Sequence, residues 1–216
     1  LAIVGATGAG KTSIISLIGR MYEIEKGEIF IDGIEVKQYE LNALRRQIGL
    51  VFQDVFLFSG TVFENITLME PGISKQQVEH AAKLCGAHEF IMQLPGQYNY
   101  KVMERGSTLS LGQRQLISFV RAMVFNPKIL VLDEATASID SNTESLIQNA
   151  IQQLVSNRTS IIIAHRLSTI LHADKILVLD KGEVKEIGTH QELLDLNAYY
   201  RKLYDMQFAN EIQTAN

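Results

Sequence analysis

Short apolar runs separated by amphipathic stretches set the rhythm of this chain. Leu1-Ala2-Ile3-Val4 reads as a buried strand. From Lys11 to Met21 the apolar Ile14, Ile15, Leu17, Ile18 and Met21 recur at helical spacing. Gly27-Glu28-Ile29-Phe30-Ile31 and Ile34-Glu35-Val36 flank Asp32-Gly33, the turn signal of a hairpin. Residues 41–47 are polar and fit a short helix leading into a strand at 48–52. From about 61 to 105 the pattern is helical and loop-like, with little strand signal. Residues 112–125 form an amphipathic helix that Asn126-Pro127 ends. The runs at 129–132 and 161–164 are continuously apolar, as in strands buried on both faces of a parallel sheet. Between them, 142–155 has helical spacing. A strand at 176–179, a turn at Asp180-Lys181-Gly182 and a strand at 183–187 predict a second hairpin, and 190–207 a terminal helix. Strands alternating with helices predict an α/β fold.

Composition narrows the classes. The chain has 216 residues, enough for one large domain or a domain with a subdomain, and 46% hydrophobic with 20% charged residues is ordinary for a globular protein. The net charge of −4, without a dense basic run, argues against nucleic acid as the main partner. The single Cys85 allows no internal disulfide and fits a reducing compartment. No apolar stretch approaches the roughly 18–20 residues that span a bilayer. With three prolines and no low-complexity segment, the sequence shows no flexible linker. It opens inside a strand without Met, and so reads as a piece of a longer polypeptide.

The chemistry is concentrated in Gly5-Ala6-Thr7-Gly8-Ala9-Gly10-Lys11-Thr12, which fits the phosphate-loop pattern of Gly, four free positions, Gly, Lys and a hydroxyl residue. Glycines let backbone N–H groups converge on an anion, and the following helix N-terminus adds its positive dipole end. Thr7, Gly8, Ala9, Gly10, Lys11, Thr12 and Ser13 are the expected triphosphate contacts. Lys11 supplies charge for the β- and γ-phosphates and Thr12 a hydroxyl for Mg²⁺. The bland alternative is a glycine-rich turn between a strand and a helix.

Asp133-Glu134, after the run at 129–132, is the best acidic strand end, but it lies 122 positions beyond Lys11. The intervening segment contains Leu109-Ser110-Leu111-Gly112-Gln113-Arg114-Gln115 just before a helix, a heptad that resembles the signature motif of ABC-type ATPases. The resemblance then covers essentially the whole chain. Gln53 matches the Q-loop, 129–134 the Walker B strand, and Ser138-Ile139-Asp140 the D-loop. His165 in Ala164-His165-Arg166-Leu167-Ser168 matches the switch histidine. Thr61-Val62-Phe63-Glu64-Asn65-Ile66 and Glu104-Arg105-Gly106 look like segments of exporter nucleotide-binding domains. Six motifs in the right order are far more specific than one. Alone, an Asp-Glu pair after a strand reads as a helix cap, a His at a strand end as structural, and Gln53 as nothing in particular.

The resemblance implies an α/β phosphate-loop NTPase core with a mainly parallel sheet, an antiparallel β subdomain whose N-terminal part is missing, and an inserted helical signature subdomain. The whole chain, 1–216, would be one ABC ATPase domain, with its core at about 1–60 and 126–216 and the helical insertion at about 61–125. It implies ATP and Mg²⁺ as ligands, with Thr12, Gln53 and Asp133 around the metal. Glu134 would orient and deprotonate the attacking water, within hydrogen-bond reach of it. Gln53 would act as its sensor, and His165 would contact the γ-phosphate. Ser110, Leu111, Gly112 and Gln113 would face ATP held by a second ABC ATPase domain, with Asp140 communicating across that interface. The implied setting is the cytoplasmic face of a membrane, attached to transmembrane domains of an exporter, with no nucleic acid partner.

Two alternatives remain open from the sequence: a domain that closes on ATP but barely hydrolyses it, and a soluble ABC ATPase without transport. Three departures from the family pattern also stand out. Leu111 replaces the usual Gly of the signature, and Met103 a usual Gly in the preceding loop. The upstream aromatic that stacks on adenine in relatives is absent. An intact Glu134, Gln53 and His165 beside an altered signature resembles one half of heterodimeric multidrug-type exporters, against a homodimer that tolerates Leu111. The apolar 52–58 segment, around Gln53, reads either as ordinary core or as part of a groove for a helix of a membrane domain. Cys85, His88, Tyr98 and Tyr100 carry no ligand pattern and read as structural or uninformative.

Overall fold

The structure, a computed structural model, describes residues 1–133, 141–156, 158–164 and 167–214; for 141–142, 167–168 and 207–214 the backbone alone is described. A six-stranded sheet runs in the order Glu183–Gly188, Ile176–Asp180, Ala2–Val4, Thr159–Ile163, Ile129–Asp133, Ile48–Val51. Ala2–Val4 pairs in parallel with both neighbours: Ala2 lies opposite Ile162 on one side and Ile176 on the other. Only the edge hairpin, Ile176–Asp180 with Glu183–Gly188, is described as antiparallel within this sheet. The mainly parallel α/β architecture expected from the apolar runs is therefore present.

The chain forms two compact units. One holds Leu1–Ile48, the end of Ile129–Asp133 and the residues from Ser160 onward. Here Ala2–Val4 is buried on both faces, which explains why it reads as unbroken apolar sequence. Ala2 and Val4 pack with Ile170, Ile176, Val178, Leu193 and Tyr200, whereas Ile3 packs on the opposite side with Ala9 and Leu179, flanked by Ile14. The small hairpin Phe30–Ile31 and Ile34–Glu35 turns at Asp32-Gly33, both at positive φ, as a two-residue type I′ turn requires.

The other unit holds Gly49–Leu130, the helix Ser141–Val155 and the chain up to Thr159. The stretch read as helical and loop-like with little strand signal contains helices Val62–Thr67, Lys75–Leu84 and His88–Gln93, and two strands of only two residues, Gly60–Thr61 and Lys101–Val102. The helix Leu111–Phe125 packs against Val62–Thr67, Lys75–Leu84 and Ser141–Val155. Capping boxes open several helices: Thr61 with Glu64, Ser74 with Gln77, Ser110 with Gln113 and Thr189 with Glu192.

Two helices differ from their sequence reading. The first runs Lys11–Ile18 and stops short of Met21. Arg20 adopts φ 46°, Met21 N–H donates to the Ser16 carbonyl and Arg20 N–H to that of Leu17, which is the Schellman arrangement. Met21 is consequently exposed rather than on the apolar stripe. The terminal segment is two helices, His190–Asp195 and Tyr199–Thr214, broken where Asn197 turns left-handed at φ 50°. The Glu186 carboxylate then accepts the Tyr199 and Tyr200 N–H groups and starts the second helix.

Candidate functional site: a phosphate loop and a capped helix

The loop between Ala2–Val4 and Lys11–Ile18 is shaped by backbone that a side chain would obstruct. A Cβ at Gly5 would stand 2.2 Å from the Leu179 carbonyl oxygen, so only glycine lets the loop leave the strand there. Gly10, which precedes the helix, has φ 100°. The Ala9 carbonyl accepts the Gly182 N–H at 2.9 Å. The turn of the edge hairpin therefore buttresses the loop from behind. That support was not visible in the motif, because nothing in the eight residues points to positions 179–182.

Lys11 opens its helix with only 8% of its surface exposed. Its Nζ donates to the carbonyls of Gly5 at 2.7 Å and Ala6 at 3.0 Å, so the ammonium curls back over the loop. Burial lowers its pKa, and the nearby Asp133 carboxylate partly offsets this. The Thr12 hydroxyl donates to Asp133 Oδ2 at 3.4 Å, bringing the phosphate-loop hydroxyl and the acidic strand end together. Thr7, Gly8, Thr12 and Ser13 are exposed, Ala9 is buried and Gly10 half-buried. The helix carries no acidic residue in its first turn, leaving its positive end uncompensated by carboxylates of its own.

Two hard oxygen donors beside a buried cation suit Mg²⁺ carried with a phosphate chain, since that ion is held by one or two protein oxygens plus phosphate oxygens. Among the described residues no cluster of three or more His, Cys, Asp or Glu side chains forms a self-sufficient metal site.

The other motif residues fall elsewhere. Gln53 is exposed two positions past the strand Ile48–Val51, in the second unit. Ser110 caps Leu111–Phe125: its hydroxyl accepts the Gln113 N–H at 3.2 Å, and Gln113 Oε1 accepts the Ser110 N–H at 3.0 Å. Gly112 is buried, Gln113 half-buried and Leu111 37% exposed, so the leucine side chain stands at the surface of the first turn. Arg114 donates to the carbonyls of Gly106 and Leu109, tying the preceding loop to this helix. Glu134, Asp140 and His165 lie outside the described residues.

The 52–58 segment is mostly not core. Phe52, Phe56 and Phe58 are 40%, 50% and 55% exposed while Leu57 is buried, and Phe56 meets Phe58 edge-on at 5.0 Å. Cys85 is buried and its thiol is pushed up to about 12 by burial. Tyr98 is buried and shares a 2.9 Å hydrogen bond with His88 Nδ1, a structural pairing.

The ABC transporter family model matches residues 1–137. The chain belongs to the ABC transporter family, of which it carries the ATP-binding domain. It is 47% identical over 210 residues to the putative multidrug export ATP-binding/permease protein YgaD of Bacillus subtilis strain 168, covering 97% of this chain and 36% of that protein. It is 51% identical over 213 residues to YknV of the same organism, an uncharacterized ABC transporter ATP-binding protein, covering 99% and 35%. Among solved structures, a bacterial Atm1-family ABC exporter with ATP bound matches at a TM-score of 0.88 and 42% identity, over 95% of this chain and 36% of that one. The chain thus spans about a third of the length of these relatives. No described helix is long and apolar enough to cross a membrane.

Proposed function

We propose that this chain binds and hydrolyses ATP, and that ATP-dependent pairing of two such domains powers export by attached transmembrane domains. The observation that carries the reading is the buried Lys11 ammonium over the Gly5–Lys11 loop with Thr12 bonded to Asp133. The loop N–H groups and Lys11 bind and orient the β- and γ-phosphates. Thr12 and Asp133, with Gln53, would hold Mg²⁺, which neutralises charge on the transferring phosphoryl group when bound. Glu134 takes the proton of the attacking water, and His165 steadies the γ-phosphate end.

The Leu111 and Gly112 N–H groups that open Leu111–Phe125 have no intrahelical acceptor, while the Ser110 hydroxyl takes the Gln113 N–H and fixes the direction of the turn. They are available to the γ-phosphate of ATP on a second ABC ATPase domain, with Asp140 at that interface. Because ATP binds the paired state better than the open one, binding pulls the pair closed and hydrolysis releases it. The exposed Phe52, Phe56 and Phe58 edge serves as the seat of a helix from the transmembrane part, on the cytoplasmic face of the membrane. Multidrug-export and ATP-binding/permease relatives about three times as long as this chain support that occupant. We keep the division into a core at about 1–60 and 126–216 and a helical signature subdomain at about 61–125.

The test is Mg²⁺-dependent ATP turnover by the complete subunit expressed alone, with a Glu134→Gln control. Turnover abolished by that substitution supports a homodimeric site that works despite Leu111. ATP binding without turnover in the parent protein assigns the competent signature to a different partner subunit. Turnover unaffected by Glu134→Gln contradicts the assignment.

A further inference from the structure

Among the described residues of the helical unit, Asn65 is the least exposed polar one, at 1%, and the phosphate chemistry leaves it unused. Its side-chain amide is satisfied on both sides. Oδ1 accepts the Phe58 N–H at 2.8 Å, while Nδ2 donates to the Phe58 carbonyl at 2.9 Å and to the Thr61 carbonyl at 3.0 Å. A single amide therefore pairs with both backbone groups of Phe58, much as a neighbouring strand would. This clamp fixes the loop that carries the exposed Phe56–Phe58 pair.

The same residue is held from the other side. Its own carbonyl accepts Arg121 Nε at 2.9 Å, and Arg121 belongs to Leu111–Phe125, the helix that Ser110 caps. Arg121 is half-buried, desolvation lowers its pKa, and its Nη2 is buried with no hydrogen-bond partner among the described residues. Keeping a desolvated guanidinium in place for a main-chain bond is costly. That cost is reasonable where the bond transmits position.

We propose that Asn65 is a positioning residue that, with Arg121, makes the Phe56–Phe58 edge and the Ser110-capped helix move as one piece. This rests on the proposed function, in which that edge seats a transmembrane helix and that cap faces a partner's ATP. The two bonds lie in series: the Asn65 side chain holds the edge, and Arg121 holds Asn65. Cutting either should uncouple the edge from the helix without touching the phosphate loop.

Hydrogen–deuterium exchange on the full-length polypeptide in lipid nanodiscs, with and without Mg²⁺ and ATP, tests this together with steady-state turnover. In the parent protein ATP slows exchange both at 111–114 and at 56–61. In Asn65→Ala and in Arg121→Met the response at 111–114 persists and that at 56–61 is lost. KM for ATP stays within about twofold while kcat falls about tenfold. Arg121→Lys, which keeps a donor near the Asn65 carbonyl, restores the 56–61 response. Arg121→Met leaves the Asn65 clamp itself intact, so it answers even if Asn65→Ala fails to fold. A 56–61 response that survives Arg121→Met, or that is absent from a parent protein responding at 111–114, overturns the proposal. A parent protein with no ATP response anywhere overturns the proposed function instead.

Discussion

At the scale of single residues, contacts of under 4 Å decide what the motif can do. Gly5 is required less for freedom than for clearance, because the Leu179 carbonyl occupies the space a methyl would need. Gly5→Ala should push the loop off the edge hairpin and lower stability by about 1–3 kcal/mol, the range for overpacking, read as a lower midpoint in thermal melts. A melt unchanged from the parent would show that the loop relaxes freely. Cys85 makes the opposite kind of prediction. Buried, with its thiol raised to about 12, it should resist a disulfide reagent at pH 8 in the native protein and react once denatured. Rapid native labelling would contradict its burial. Of this scale the sequence disclosed the glycine-rich loop with its Lys11 and Thr12, since the pattern is local. It did not disclose what stands behind them: Leu179 and Gly182 are about 170 positions away and share no motif with the loop.

Elements were legible wherever their pattern was local and long. The apolar runs at 129–132 and 161–164 fall on the strands Ile129–Asp133 and Thr159–Ile163, the second beginning two residues earlier and ending before Ala164, and the turn pairs Asp32-Gly33 and Lys181-Gly182 are at positive φ as hairpins demand. The misjudged ends have tertiary causes. Nothing in the helical spacing of 190–207 signals that Asn197 will turn left-handed or that Glu186, from the preceding strand, will cap a new helix at Tyr199. Two-residue strands such as Gly60–Thr61 carry too little pattern to read.

Helix starts also make a pH prediction. Glu40, Glu64 and Glu192 accept backbone N–H groups at helix N-termini, and these bonds hold each carboxyl below its ordinary 4.5. A carboxyl with a lowered folded pKa stabilises fully above 4.5, and that contribution is lost as pH falls through the folded value. Stability should therefore drop on acidification below about 4.5. Glu64→Gln keeps an acceptor for the Thr61 N–H without the titrating charge, so its melts should lose less between pH 7 and pH 3. An equal loss in both proteins would remove Glu64 from the acid response.

For the whole molecule, the order of motifs was legible and their convergence was not. The sequence placed Lys11 and Asp133 far apart, and the parallel sheet brings Thr12 and Asp133 into one hydrogen bond. The aromatic 52–58 segment was ambiguous because apolar composition alone does not distinguish core from surface; Phe52, Phe56 and Phe58 are exposed and Leu57 is core. The assignment to the ABC transporter family rests on the matched family model and on relatives of high identity, while the export cycle is our proposal. The proposed cycle depends on one premise, that the Gly5–Lys11 loop holds the phosphates of ATP. Calorimetric titration of Mg²⁺ and ATP into the parent protein and into Lys11→Met tests that premise most directly. Removing a buried ammonium that makes charge-assisted bonds to phosphate should weaken binding by about 100-fold while the melting temperature stays close to the parent's. Equal affinity in a folded Lys11→Met protein would contradict the account.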